Sequence, residues 1–430
     1  MCDDPSMNIS QAIKKNGKNM RRASSDGVII AGGLLVMRLS AFIMSVLMAR
    51  IAGIEALGEF TLFIAVFMLA SEIPHAFDTA YLRAVGIDSS DKELYESANI
   101  AIKLILTTVI GFLFYLFAGF FGDYFDSEIT GKILIFAIVA GGLNSVYMIM
   151  PTMAQQRRDS KKVALLKPVF NGLVLMAMLA SLVFGAEVKI DYVMGLYLFI
   201  GVGLSFWAIK QVFLISRLYS AGDTKIRPYL VVSLTLLVSA TFNLVGNRLD
   251  VFFLSYLLSF EQLGIYGAAL RLSIVVSVLT GVISMIMIPK AAKAAAEPEA
   301  FKRYLMLGGF FNAVQIMVGL LLLLILHPLI ILVYGDQFLA AKEPAIFLVG
   351  QVLVTSLGVP FQALIQCGEK PGTMIYVTLT KITVSASLLY YLVPEYGVNG
   401  AAAAILLTTL AMTMLVTVIA FNARPKLKPI

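Results

Sequence analysis

Apolar runs of about twenty residues recur along the chain, each closed by a short polar connection. That is the length an α-helix needs to cross roughly 30 Å of hydrocarbon. Twelve runs can be read, at 27–52, 56–77, 97–121, 131–153, 163–184, 192–215, 228–257, 262–288, 304–326, 345–365, 373–392 and 397–421. A transmembrane barrel would instead show short alternating segments. The most polar central connection carries the turn signal Gly222-Asp223 and is followed by Pro228, which suits a helix start. It leaves six runs on either side. The pattern predicts an all-α integral membrane protein with about twelve transmembrane helices in two six-helix lobes. The expected organisation is an amino-terminal tail over 1–26, a first lobe over 27–215, a linker over 216–227, a second lobe over 228–421 and a tail over 422–430.

Composition agrees. Of 430 residues, 59% are hydrophobic and 14% are charged. An ordinary soluble chain carries about 25% charged residues. The formal net charge is +7, but its placement says more. Lys14, Lys15, Lys18, Arg21 and Arg22 precede the first run. Arg157, Arg158, Lys161 and Lys162 follow the fourth, Lys210, Arg217, Lys225 and Arg227 surround the midpoint, and Lys290, Lys293, Lys302 and Arg303 follow the eighth. The alternate connections are acidic, with Asp123, Asp126, Glu128, Glu187, Asp191, Asp336 and Glu395. Positive charge marks the cytoplasmic side, so both termini are expected there. The basic patches lack interleaved aromatics for base stacking, which argues against nucleic acid and for lipid head groups.

The two halves share a repeat. The segment 49–63, ARIAGIEALGEFTLF, aligns with 255–269, SYLLSFEQLGIYGAA; Glu55 matches Glu261, Gly58 matches Gly264 and Phe60 matches Tyr266. Six spans per half give both halves the same topology. The expected relation is a parallel repeat about an axis along the membrane normal.

Polar residues inside the runs are the candidate chemistry. Ser239, Asn243, Asn247 and Asp250 recur at i, i+4, i+8 and i+11, so one helix face is expected to carry all four. Arg248 lies beside that face, Arg271 in the next run, Arg38 near the middle of the first and Lys381 near the middle of the eleventh. A cation at the bilayer centre costs about 2.5–3.5 kcal/mol on insertion scales, so such residues face a cavity or a partner. Carboxylates are few, chiefly Glu72 and Asp250, so the expected cavity is net positive and suits an anion. Simpler roles stand beside these. Asp250 and Arg271 could pair to hold two helices together. Glu72 could carry a proton or pair with Arg83. Lys381 could bond backbone carbonyls, Lys103 is expected to snorkel to the cytoplasmic interface, and His75, after Pro74, is expected to be structural. Enzyme chemistry is not expected. The two histidines are far apart, no phosphate-binding glycine loop is present, and no loop pairs carboxylates. No metal or cofactor is expected.

Three segments resemble the polysaccharide and O-antigen repeat-unit flippases of the multidrug/oligosaccharidyl-lipid/polysaccharide (MOP) exporter superfamily. They are Asn243 with NRLDVFFLSYLLSFEQLGIYGAALRL at 247–272, GLLVMRLSAFIMSVLMARIAGIEALGEFTLF at 33–63, and GVNGAAAA at 397–404. With the six-plus-six repeat, the resemblance covers essentially the whole chain. The two extra helices of the superfamily's peptidoglycan lipid flippases are not among the twelve runs. The resemblance implies a V-shaped transporter like the multidrug and toxin extruders (MATE), with its first, second, seventh and eighth helices lining a central cleft. It implies a flippase moving undecaprenyl-diphosphate-linked oligosaccharide to the outer leaflet of a bacterial plasma membrane by alternating access. Arg38, Arg248, Arg271, Asn243, Asn247, Asp250 and Lys381 would bind the substrate. Glu72 or Asp250 would couple to a proton or sodium counter-ion. Membrane lipids, a polysaccharide polymerase and a chain-length regulator are the implied partners. The alternatives are a cation-coupled multidrug exporter of the same superfamily, which would want buried carboxylates, and a membrane glycan polymerase or ligase, which would want a large external loop.

Overall fold

The computed structural model describes residues 9–87, 92–116, 128–215, 226–366 and 373–423, and the regular structure among them is helical. In chain order the first half contains α1 (Ile9–Ile51), α2 (Gly53–Glu72), α3 (His75–Ile87), α4 (Lys92–Leu116), α5 (Glu128–Tyr147), α6 (Ile149–Gln156), α7 (Ser160–Leu166), α8 (Val169–Val183) and α9 (Ile190–Ile215). The second contains α10 (Ile226–Gly246), α11 (Leu249–Leu257), α12 (Phe260–Ala296), α13 (Pro298–Leu324), α14 (Leu326–Val333), a 3₁₀ turn (Asp336–Ala341), α15 (Lys342–Gln366) and α16 (Thr373–Ala423). The expected linker 216–227 falls almost wholly outside the described residues, as do 1–8 and 424–430 of the tails. The described part of the amino-terminal tail continues α1.

Eleven stretches of the described residues are long and apolar enough to cross a membrane. The last, Tyr376–Asn422, has 47 residues. At 1.5 Å per residue a straight helix of that length would span roughly 70 Å, more than twice the hydrocarbon thickness. It is not straight. Gly397 takes φ 56° and ψ −130°, a conformation closed to most L-residues. The chain then doubles back so closely that a side chain at Gly400 would strike the Leu392 carbonyl. Two antiparallel stretches result, so the described residues hold twelve stretches of membrane-spanning length, the number the apolar pattern predicts.

Two runs differ from expectation. Pro74 lacks the N–H that would continue α2, so the second run ends at Glu72 and resumes as α3. The seventh run breaks at Asn247-Arg248. The Asn247 and Arg248 amides bond three residues back, to Leu244 and Val245 carbonyls at 3.2 and 3.0 Å, and Arg248 leaves helical geometry at φ −129°. Gly and Asn are weak helix formers, and the break falls directly after Gly246-Asn247.

In each half one central helix gathers its neighbours. In the first, α5 packs on α2, α4 and α9; in the second, α15 packs on α12, α13 and α16. Phe63, Phe67 and Phe170 surround the buried Tyr197 ring, with centroid distances of 5.0, 5.1 and 5.7 Å. A buried ion pair also ties the first half together. Lys103 does not snorkel to the interface. It is fully buried, with Nζ 2.6 Å from Asp78 Oδ1 and 2.8 Å from the Ser145 carbonyl. Asn99 adds a bond to the same carboxylate at 2.8 Å. A lysine nearer the helix end could reach water; here the acid on α3 satisfies it instead.

The halves meet chiefly where α2 packs on α12. A Cβ at Gly58 would sit 1.9 Å from the Phe260 carbonyl oxygen, and one at Gly264 2.0 Å from that of Ile54. The offset that carries Gly58 onto Gly264 also carries Ile54 onto Phe260, so these contacts are one contact made twice. It likewise carries Thr61 onto Gly267, and those two touch each other directly. Residues that meet their own equivalents lie on a two-fold axis. Because α2 and α12 run in the same direction there, the axis follows the helices. This is the parallel repeat. Nearby, Arg50 at the end of α1 donates to the last carbonyls of α14, from Nε to Val333 at 2.9 Å and from NH2 to Ile331 at 2.9 Å and Leu332 at 2.5 Å. The molecule is therefore closed at this end.

Substituting Gly264→Val should force α2 and α12 apart, at a cost in the range of about 1–3 kcal/mol that overpacking brings. The thermal unfolding midpoint of purified protein should fall. Gly281→Ala on the same helix, where the added carbon meets nothing within 4 Å, should not lower it.

Candidate functional site

Toward the opposite end the halves separate around a cavity of about 450 Å³. Leu34, Met37, Glu72, His75, Lys167, Asn243 and Asn247 are on its wall. Glu72 stands at the end of α2 because Pro74 stops the helix there. Asn243 and Asn247 are exposed one turn apart on α10, and Asn247 Nδ2 donates to Asn243 Oδ1 at 2.9 Å. Lys381 reaches across from α16 to Asn247 Oδ1 at 2.5 Å.

The helix break decides what joins this group. Asp250 falls beyond it and does not share the face of Asn243 and Asn247. It is buried, accepts the Tyr266 hydroxyl at 2.6 Å on Oδ2, and leaves Oδ1 unbonded. Arg248 sits at the break itself. Its NH2 lies 3.1 Å from the Met68 sulfur on α2, a weak acceptor, and it is within electrostatic reach of Glu72. Arg271 is buried at the junction of the halves, in electrostatic reach of Tyr197 from one and Tyr334 from the other, with Nε unbonded. Among the described residues Asp250 and Arg271 form no ion pair, so the pairing considered from the sequence is not what holds α11 to α12. The Tyr266 bond does that.

Arg38 is exposed on α1. Leu34 lies one turn before it on the cavity wall, and Phe42 one turn after it, with its ring 6.5 Å from Tyr334 of the other half. Arg38 thus occupies the middle of a stripe that looks across the gap between the halves.

The site therefore gathers Glu72, Asn243 and Asn247 directly, with Arg248 and Lys381 attached by contact. Arg38 is on the adjoining stripe. Asp250 and Arg271 are held behind, in protein. Two wall residues were missed in the sequence reading. His75 was read as structural, yet its ring is half exposed beside the cavity while Nδ1 is bonded to buried Asp78 at 2.7 Å. The His-x-x-Asp spacing on a helix start was the available signal. Lys167, before Pro168, lies inside the fifth apolar run and was not singled out. Lys167 and Glu72 are both on the wall, Lys381 is bonded to the wall residue Asn247, and Arg248 is within electrostatic reach of Glu72. Such a wall can hold a phosphate group by charge-assisted bonds and sugar hydroxyls by its amides. Among the described residues, no group of three or more His, Cys, Asp or Glu side chains could hold a metal ion.

Comparison with known proteins agrees in sequence and in shape. The profile of the polysaccharide biosynthesis protein family matches residues 25–295. The chain belongs to this family. No curated protein sequence matches it. Among solved structures it is similar to the lipid II flippase MurJ in an inward closed conformation, with a TM-score of 0.73 and 15% identity over 92% of this chain and 87% of that one. It is also similar to an inward-facing MATE multidrug resistance transporter of the MOP superfamily, with a TM-score of 0.65, 13% identity, and coverage of 91% and 95%. A third is a MOP superfamily transporter from Pyrococcus furiosus described as having a binding pocket of reversed polarity, with a TM-score of 0.59, 13% identity, and coverage of 93% and 94%. At these identities the likeness is one of fold. This member of the polysaccharide biosynthesis protein family has the architecture of a membrane transporter.

The buried pair beside the site offers a direct check. Lys103→Met should leave the Asp78 charge without its main partner and cost about 3–5 kcal/mol. The double variant with Asp78→Asn should recover a substantial part. Thermal melts of the two variants against the parent measure the difference.

Proposed function

We propose that this protein is a flippase for oligosaccharide repeat units linked to undecaprenyl diphosphate, carrying them from the cytoplasmic to the outer leaflet of a bacterial plasma membrane. The repeat units would be those of O-antigen or a related surface polysaccharide. The observation that carries this reading is the amide-bearing cavity between the two halves, with Lys167 on its wall and Lys381 and Arg248 tied to its wall residues Asn247 and Glu72. A diphosphate needs fixed positive charge, and Arg38 and Arg248 offer planar forks that hold phosphate oxygens two at a time. The glycan needs water and hydrogen bonds, which Asn243 and Asn247 supply. Family membership supports the pathway, and the flippase and transporter folds support the mode of action. A drug-cation exporter would want the opposite charge balance.

In this mechanism the halves rock about the α2–α12 contact. The cavity opens to the cytoplasm when the Gly58 and Gly264 end is closed, in line with the basic connections at that side. Glu72, within reach of Arg248, is the group placed to exchange a proton or bind sodium as the anion comes and goes. Asp250 is the second candidate. A polymerase and a chain-length regulator would receive the product at the outer face.

Arg38 provides the test. Arg38→Ala should abolish surface glycan in cells that depend on this protein for it, with normal protein in the membrane by immunoblot. Arg38→Lys keeps the charge and loses the fork, so glycan should fall without vanishing. Normal glycan with Arg38→Ala at normal protein level would remove the role assigned to this residue.

A further inference from the structure

A second cavity, of about 560 Å³, lies at the closed end of the molecule and wholly within the first half. Its wall is built from the end of α1, the first turns of α2, the start of α5 and the connection that leads into α9. A cavity of that size takes a small organic group. Ile51, Ile129 and Met194 give it an apolar side, and its charged groups are Glu59, Lys132, Glu187, Lys189 and Asp191. None of these residues is on the wall of the polar cavity between the halves. Ile51 ends one stretch of membrane-spanning length, and Ile129 and Ile190 begin two others. The cavity is therefore at the level where the spans leave the hydrocarbon, which is where phospholipid head groups lie.

Glu59 is the group here that the fold does not explain. It is 8% exposed, it is on the cavity wall, and among the described residues its carboxyl makes no hydrogen bond and no ion pair. The charges within its electrostatic reach, Glu55 and Asp191, are acids as well. Burying a charge is costly unless something pairs with it. The repeat does not demand this one. The offset that carries Glu55 onto Glu261 and Gly58 onto Gly264 carries Glu59 onto Ile265, so the second half fills the equivalent place with an apolar side chain. Elsewhere on the wall Glu187 and Lys189 pair with each other at 2.7 Å. Glu59, Asp191 and Lys132 remain, two acids and one base with no ion pair among the described residues. The acids do not form a metal cage, because among the described residues no group of three or more His, Cys, Asp or Glu side chains could hold a metal ion. A ligand that joins an ammonium to a phosphate on an apolar stem matches all three charges and the apolar side.

We infer that this cavity binds the head group of an ethanolamine phospholipid, with the ammonium on Glu59 and Asp191, the phosphate on Lys132 and the glycerol against the apolar side. A primary ammonium has three N–H donors and no acceptor, so a wall of carboxylates suits it, and each bond is charge-assisted. The tails stay in the bilayer. They are as apolar as any other lipid's, so they select nothing, and the preference comes from the ammonium. On the sidedness of the flippase reading this is the outer leaflet. The site itself does not depend on that reading, and its failure would leave the reading standing.

The test uses the purified full chain in detergent with dioleoyl phosphatidylethanolamine and dioleoyl phosphatidylglycerol, which share tails and phosphate and differ in the ammonium. Native mass spectrometry gives the ratio of the two lipids bound. The parent should prefer phosphatidylethanolamine about tenfold, equivalent to ~1.4 kcal/mol. Glu59→Gln keeps the shape and loses the charge, so it should bring the ratio close to one. Equal binding of the two lipids by the parent, or a preference unchanged in Glu59→Gln, would overturn the inference. Displacement of the lipid by an equal concentration of free glycerophosphoethanolamine would make the occupant a soluble compound and overturn the lipid assignment. A measurement on the parent protein needs no variant to fold. Dicyclohexylcarbodiimide activates carboxyl groups, and an amine held against one then forms an amide. The peptide containing Glu59 should carry phosphatidylethanolamine, and adducts confined to other carboxyl groups would also overturn the inference.

Discussion

At Gly58 and Gly264 two helix backbones approach so closely that neither position has room for a side chain, and the arrangement of the protein follows from that contact. Hydrocarbon gives no hydrophobic drive for helices to associate, so close van der Waals packing of small residues has to supply it. Here the packing is reciprocal, Gly58 on the Phe260 carbonyl and Gly264 on that of Ile54. It sets the two-fold axis, and it closes one end of the molecule. Because α2 leaves that contact toward the other end and stops at Pro74, the halves diverge there and a cavity opens. Arg50, bonded to three carbonyls at the end of α14, clasps the closed end from the side.

The charges can be understood from the same geometry. A cation in the middle of a membrane protein needs water, an acid or a ring of donors and acceptors. Lys103 has an acid, Asp78, and is sealed inside one half. Lys381 has Asn247 and the electrostatic reach of Asp250. Arg248 and Arg38 have weak or no protein partners among the described residues and stand where the halves part. Arg38 and Arg248 are thus poorly partnered cations where the halves part, and Arg271, also poorly partnered, is buried behind them. The contrast is with Lys103, whose charge holds the fold together.

Much of this was legible in the sequence. The apolar runs and the charge alternation carry the number of spans, and the match of Glu55, Gly58 and Phe60 with Glu261, Gly264 and Tyr266 carries the repeat. What the repeat could not reveal is that its two copies touch each other, because sequence similarity says nothing about contact. The site was half legible. Arg38, Arg248, Asn243 and Asn247 stood out as polar residues in apolar runs. Asp250 was misplaced because periodicity assumes an unbroken helix, and the break at Asn247-Arg248 turns it toward Tyr266 instead. Lys103 was misread for a related reason. Its nearness to the cytoplasmic end of its run suggested snorkelling, but its partner Asp78 comes from α3, the helix that follows Pro74.

The central claim is that this chain by itself moves a lipid diphosphate carrying a glycan between leaflets. Purified protein reconstituted into vesicles with an undecaprenyl-diphosphate oligosaccharide gives the direct measurement. A membrane-impermeant glycosidase reports how much sugar is reachable from outside. In protein-free vesicles only the outer-leaflet share should be cleaved. With the protein present, cleavage should proceed to nearly all of the lipid, and the Arg38→Ala protein should behave as protein-free vesicles do. Cleavage that stops at the outer-leaflet share with folded parent protein, under an imposed proton or sodium gradient as well as without one, would contradict the account.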